Sequence, residues 1–139
     1  AVVGMAVALK KNCERMEQNS KRLRCMKKTF SELILQAIQA AVFNGDARRR
    51  LPGHISLSLP EISGEALLHF LDLRRIAVST GAACNSETIE SSHVLNAIGL
   101  SESLAKGTVR ITFGANNAED DPVIVANEII AYYNKMLKP

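Results

Sequence analysis

Ile55-Ser56-Leu57-Ser58-Leu59 and Thr108-Val109-Arg110-Ile111-Thr112-Phe113 are the stretches whose reading decides the fold. Each alternates apolar and polar side chains with a period of two. That is the pattern of a half-buried strand with one dry face and one polar face. Pro60 stops the first strand, because a proline cannot donate to a ladder. In the second, Val109, Ile111 and Phe113 share a face, and Arg110 and Thr112 share the other.

Around these strands the chain reads mostly as helix. Residues 2–18 and 20–43 are predicted as two helices. In the second, Phe30, Leu33, Ile34, Ala37, Ile38, Ala41 and Val42 recur at three- and four-residue steps, and Asn44-Gly45-Asp46 closes it. Ser63 is positioned to cap a short helix over residues 65–71. Ile76-Ala77-Val78 reads as a brief buried strand. Ser79-Thr80-Gly81-Ala82-Ala83-Cys84-Asn85-Ser86 has no period and reads as a loop. Ser91 or Ser92 caps a helix carrying Val94, Leu95 and Ile98, closed by Gly99. A further turn over residues 101–106 ends at Gly107. Asn117 or Asp121 caps a last helix with Pro122 in its first turn and a stripe of Ala126, Ile129, Ile130, Tyr133 and Leu137. This order predicts an α/β (α+β) two-layer domain: about three strands covered by helices on one face. Residues 1–43 are expected to form a long helical arm, and residues 44–139 a small domain.

Composition narrows the function classes. At 139 residues the chain is long enough for one ordinary domain. No apolar run approaches the length of a membrane span. Ala1 to Leu9 is apolar but lacks the basic lead and cleavage site of a secretory signal. The first residue is Ala1 and not a methionine, which suggests a processed product or an excerpt. Residues 1–50 carry a net charge of +7 and residues 51–139 a net −4. The cations interleave with apolar residues at helical spacing, as on a solvated helix face, and aromatic residues are scarce. Nucleic acid is therefore not expected as a partner, nor is a membrane. Cys13, Cys25 and Cys84 make no disulfide framework and no zinc-ligand spacing, so a reducing compartment and no metal are expected.

Two residues stand out chemically. Cys84 sits among small and polar neighbours, where a thiol can reach solvent, ionise and attack an electrophile. Arg110 lies mid-strand, where a rigid backbone can aim a guanidinium at a carboxylate. Each also has a plain reading, as a small apolar filler and a solvated arginine. Cys13 and Cys25 lie in helical patterns and read as structural. His54, His69 and His93 read as surface or structural residues, with His93 as a possible proton carrier. The glycines form no phosphate loop.

The run Ser79 to Ser86 resembles the persulfide loop of the NifS-like cysteine desulfurases and selenocysteine lyases, within the class V aminotransferases. Leu51-Pro52-Gly53 with its strand, Gly64-Glu65-Ala66-Leu67-Leu68, Ser92-His93-Val94-Leu95 through Leu100, and Thr108-Val109-Arg110-Ile111-Thr112-Phe113-Gly114 resemble that family's segments in the same order. Val3-Gly4-Met5-Ala6 resembles the start of the family's C-terminal third. The resemblance implies the small C-terminal domain of a fold-type-I pyridoxal phosphate transferase, usually a homodimer. Such an enzyme converts L-cysteine to L-alanine, or acts on selenocysteine, and serves iron–sulfur cluster assembly. Cys84 would carry the sulfur as a persulfide and Arg110 would bind the substrate carboxylate.

The chain departs from the family pattern in places. The Ser-x-His motif before the cofactor lysine is missing. Ser56 stands where the family has Asn, Glu87 follows the loop where a small residue is usual, and Asp120-Asp121-Pro122 replaces a more regular helix start. The resemblance thus implies partners: a pyridoxal-phosphate-bearing large domain and a sulfur-acceptor or scaffold protein. It places the intact enzyme in cytoplasm or mitochondrial matrix. No cofactor and no activity are expected of this chain alone. A non-catalytic interaction module, or decoy subunit, of the same ancestry stays open beside the enzyme-portion reading.

Overall fold

The computed structural model describes residues 1–46, 48–80 and 93–137. Cys84 and its loop lie outside the described residues, as do the proposed caps Ser91 and Ser92. Helix α1 runs over Val2–Ala37, followed by β1 (Val42–Phe43), β2 (His54–Ser58), α2 (Gly64–Asp72) and β3 (Ser79–Thr80). Then come α3 (His93–Ala97), α4 (Glu102–Lys106), β4 (Thr108–Thr112) and α5 (Asp121–Leu137).

The two alternating stretches pair as read. β2 and β4 run antiparallel, with Ile55 opposite Ile111, Leu57 opposite Val109, Ser56 opposite Arg110 and Ser58 opposite Thr108. This register puts every apolar residue of both strands on one face. β1 joins the far edge of β2 and β3 the far edge of β4, both antiparallel, giving a four-stranded sheet in the order β1-β2-β4-β3. The sheet therefore has one strand more than expected, because Val42-Phe43 pairs with Leu57-Ser58 rather than continuing a helix.

The dry face of the sheet meets α2, α5 and the second half of α1. Phe30, Ile34, Leu67, Leu71, Ala126 and Ile129 are fully buried against Ile55, Leu57 and Val109. Phe30 lies edge-on to Phe43 and Phe113, at ring-centroid distances of 6.4 and 6.0 Å. Buried aromatics favour this arrangement. Two turns earlier on α1, Arg22 donates to the carbonyls of Ala115 (3.0 Å) and Asn117, fastening the helix to the turn before α5. Between α2 and α5, Arg74 lies 3.6 Å over the Phe70 ring and 2.6 Å from the Glu128 carboxylate.

Several boundaries differ from expectation, each for a local reason. Ser20 is no break: α1 is one helix of 36 residues. It ends at Ala37, not at residue 43, since the chain must turn there to return Phe43 onto Phe30. Ile76 to Val78 is not strand. Arg75 takes a left-handed φ of 61°, and the Ile76 amide donates back to the Leu71 carbonyl at 3.0 Å, so these residues close α2. The buried stripe of α5 is Pro122, Val125, Ala126, Ile129 and Tyr132, with Ile130 and Tyr133 half-buried and Leu137 exposed. The caps at Ser63 and Gly107 stand as expected, and Ser101 caps α4. Asn117 and Asp121 act together at the start of α5: the Asp121 carboxylate accepts from the Asn117 side chain and the Ala118 amide.

Candidate functional site

The polar face of the sheet carries a cleft of about 270 Å³. Its floor is His54 and Ser56 from β2 and Thr108 and Arg110 from β4. Asn44 and Gly45, just past β1, close one end. Val94, Leu95 and Ile98, on α3 and the turn after it, form the apolar wall. Helices thus flank both faces of the sheet, not one as expected.

Arg110 is exposed, and among the described residues it makes one side-chain hydrogen bond, to Ser79 Oγ at 3.2 Å. Ser79 in turn donates to the Thr80 carbonyl, so its oxygen is free to accept from the guanidinium. Among the described residues the other guanidinium N–H groups have no hydrogen-bond partner, a fork suited to a planar anion. Ser79 opens β3, the strand that leads into the segment carrying Cys84.

His54 is half-buried on the same floor. Burial, then the charges of Arg110 and Arg50, hold its pKa below the ordinary histidine value. Its imidazole is therefore neutral at neutral pH and able to take up a proton. His69 is exposed on α2, 3.9 Å from Glu65, and does not line the cleft. His93 opens α3, exposed, and is likewise absent from the lining. Among the described residues no three His, Cys, Asp or Glu side chains could hold a metal ion. Cys13 and Cys25 are both exposed on α1, so burial does not shield them.

A buried polar network under the cleft escaped the sequence reading. Asn44 Nδ2 donates to Ser56 Oγ (3.1 Å) and to Ser58 Oγ (2.7 Å). Ser58 Oγ lies 2.6 Å from Thr108 Oγ1, which donates to the Leu104 carbonyl at 2.9 Å. The threonine proton is committed to that carbonyl, so Ser58 must donate to threonine and accept from Asn44. This sequence of protons fixes the Asn44 amide with its oxygen away from the serines, and that buried oxygen has no hydrogen-bond partner. The visible signal was the run of small hydroxyls at 56, 58 and 108, which alternation alone reads as solvent-facing.

The cleft does not fit covalent attachment of pyridoxal phosphate. A Schiff base needs a positioned amine. Lys10, Lys11, Lys21, Lys27 and Lys28 lie on α1, Lys106 on α4 and Lys135 on α5, and none lines the cleft.

Comparison with known proteins agrees with the fold and with the order of motifs. The profile of the family "Aminotransferase class-V" matches residues 1–123, so this chain belongs to the class V aminotransferases. It is 35% identical over 120 residues to a cysteine desulfurase IscS of Dictyoglomus turgidum, covering 86% of this chain and 30% of that protein. It is 33% identical over 135 residues to cysteine desulfurase IscS of Azotobacter vinelandii, covering 97% and 33%. It is 32% identical over 135 residues to a human cysteine desulfurase, covering 97% and 29%. The chain thus spans about a third of the length of the relatives it matches. In three dimensions it resembles a solved NifS-like protein, with a TM-score of 0.82 and 24% identity over 96% of this chain and 33% of that one. A NifS-like protein from Rickettsia africae matches with a TM-score of 0.68 and 22% identity, over 88% and 30%.

Proposed function

We propose that this chain is the C-terminal portion of a pyridoxal-phosphate-dependent cysteine desulfurase or selenocysteine lyase, working with a large domain that supplies the cofactor and its lysine. The observation that carries this reading is Arg110. It stands in a cleft floor on a central strand, with one side-chain hydrogen bond among the described residues, beside the strand that leads to Cys84. In this reading Arg110 binds the substrate carboxylate and Cys84 carries the sulfur. The Cys84 thiol takes the substrate's sulfur and becomes a persulfide, while the carbon–sulfur bond of L-cysteine breaks and the carbon that loses sulfur gains a proton, equivalent to the one the thiol gives up. L-alanine is the other product, and atoms balance without an external oxidant or reductant. The exposed first half of α1 belongs to the docking surface for the large domain, and residues 44–139 to the small domain. The intact enzyme is a homodimer of a reducing intracellular compartment that passes sulfur to an acceptor or scaffold protein.

The test is to combine the chain with a cofactor-bearing large domain and to measure alanine and transferred sulfur. Cys84→Ser should abolish sulfur transfer with the fold intact. Arg110→Lys keeps the charge but loses the planar fork, so kcat/KM should fall by about tenfold or more. Full sulfur transfer by Cys84→Ser defeats the reading. The second reading, a non-catalytic module of the same ancestry, is supported by a cleft lining that holds no lysine among the described residues. It is favoured if the combined protein binds the large domain yet yields no alanine.

A further inference from the structure

Next to the cleft, basic side chains from two elements gather on one surface. Arg24 and Lys27 lie one turn apart on α1. Three residues past Lys27, Phe30 packs against Phe43, which brings this face of the helix beside the loop after β1. That loop carries Arg48, Arg49 and Arg50. Its acid, Asp46, is the one Asp or Glu between residues 33 and 60. The Asp46 carboxylate is occupied in holding the loop, accepting from the Arg48 amide at 2.6 Å and the Arg49 amide at 2.8 Å. The Arg48 and Arg49 side chains are left exposed. Arg50 is pinned by donating to the Asp46 and Asn44 carbonyls, both at 2.7 Å; its charge adds to the Arg49 and Arg48 amides in lowering the Asp46 pKa, but its N–H groups donate to no carboxylate among the described residues. Lysines nearby on α1 are treated differently: Lys21 pairs with Glu17 and Lys28 with Glu32, whereas none of the patch residues takes part in an ion pair among the described residues. The crowding is close enough that Arg50 and Arg24 add to burial in lowering the Lys27 pKa.

Leu51 follows the arginines and is 74% exposed. A large apolar side chain beside unpaired, partly immobilised cations is the arrangement of a protein-docking site: charge steers, and a desolvated anchor holds. Stacking on nucleic acid bases is disfavoured, because the aromatic ring nearest the patch, Phe43, is already packed edge-on against Phe30. A single leucine is also a weak membrane anchor.

We propose that Arg24, Lys27, Arg48, Arg49 and Arg50, with Leu51 as anchor, form the docking surface for an acidic segment of a protein partner. The surface adjoins Asn44 and Gly45 at the end of the cleft, so a bound partner lies at its mouth. This goes beyond the desulfurase reading and stands without it, since it concerns binding and not turnover.

The test titrates the full chain with a short Asp/Glu-rich peptide carrying one leucine, and in parallel with oligouridine and with phosphatidylserine vesicles. The peptide should bind best, and its affinity should fall several-fold between about 50 and about 200 mM salt. Charge reversal by Arg48→Glu with Arg49→Glu should weaken it by about tenfold or more. These side chains are exposed and make no hydrogen bond or ion pair among the described residues, so the variant should keep its circular dichroism and melting temperature. Leu51→Ala should weaken binding at every salt concentration. Lys106→Glu, on α4 and outside the patch, should leave it unchanged. The proposal is overturned if the peptide does not bind, if Lys106→Glu weakens binding as much as the double reversal, or if oligouridine or vesicles bind more tightly than the peptide.

Discussion

His54 is the residue whose titration reports the state of the cleft. Its folded pKa is lowered by burial first, then by Arg110 and Arg50. The native state therefore binds the proton less tightly than the unfolded chain does. The stability this neutral histidine contributes is fully present above the unfolded value of about 6.5 and is lost as pH falls below it and through the lower folded pKa. A proton NMR titration should place the His54 midpoint below the ordinary value. Arg110→Gln should raise that midpoint, and Lys106→Gln should leave it in place. A midpoint at or above the ordinary value, or one indifferent to Arg110, would mean that the two side chains do not share the cleft. Arg110 was legible in the sequence, because alternation puts it opposite Val109 and Ile111. Asn44 was not: its partners Ser56 and Ser58, and Thr108 bonded to Ser58, come from strands about 50 residues apart, and nothing local marks their convergence.

At the scale of elements, β2 and β4 were readable because each buries one face and exposes the other, so the period of two survives in the sequence. β1 and β3 were not, since each is two residues long and owes its form to its neighbour. The end of α1 was misplaced for the same reason. Ala41 and Val42 continue a helical stripe by spacing, yet tertiary pairing with β2 takes Val42 into the sheet. Close approach between elements gives a sharp test at Gly107. A Cβ there would sit 2.0 Å from the Leu59 carbonyl oxygen, where the chain leaving β2 passes over the start of β4. Neither backbone can yield without breaking the Leu59–Gly107 hydrogen bond of 3.0 Å. Gly107→Ala should destabilise by about 3 kcal/mol and lower the melting temperature by about 10 °C. Gly99 has a φ of +83° but open space around it, so Gly99→Ala should lose about 1 kcal/mol through backbone conformation alone. Equal effects at the two sites, measured by thermal melting, would contradict the packing described for β2 and β4.

Across the whole molecule, the chain is well packed in one part and open in another. From Met26 onward α1 is anchored by Phe30, Ile34 and Ile38, but Val2, Val3, Met5, Val7, Leu9 and Met16 are all exposed. A helix without a packed face is marginal in water, and apolar exposure on this scale marks a contact surface. Amides of residues 2–17 should therefore exchange quickly in the dilute chain, and protection should appear as light scattering shows association, or when a large domain is added. Uniform protection in a dilute monomer would show that this half needs no partner.

The central claim is that a class V aminotransferase portion carries sulfur on Cys84. Alkylation rate is a poor probe of it, because Cys13 and Cys25 are both exposed and would react too. The direct measurement is mass mapping of the three cysteines after one turnover with L-cysteine, using the chain joined to a cofactor-bearing large domain. The account predicts one added sulfur atom on the peptide containing Cys84 and none on those containing Cys13 or Cys25. Added sulfur on Cys13 or Cys25, with Cys84 unmodified, would contradict it.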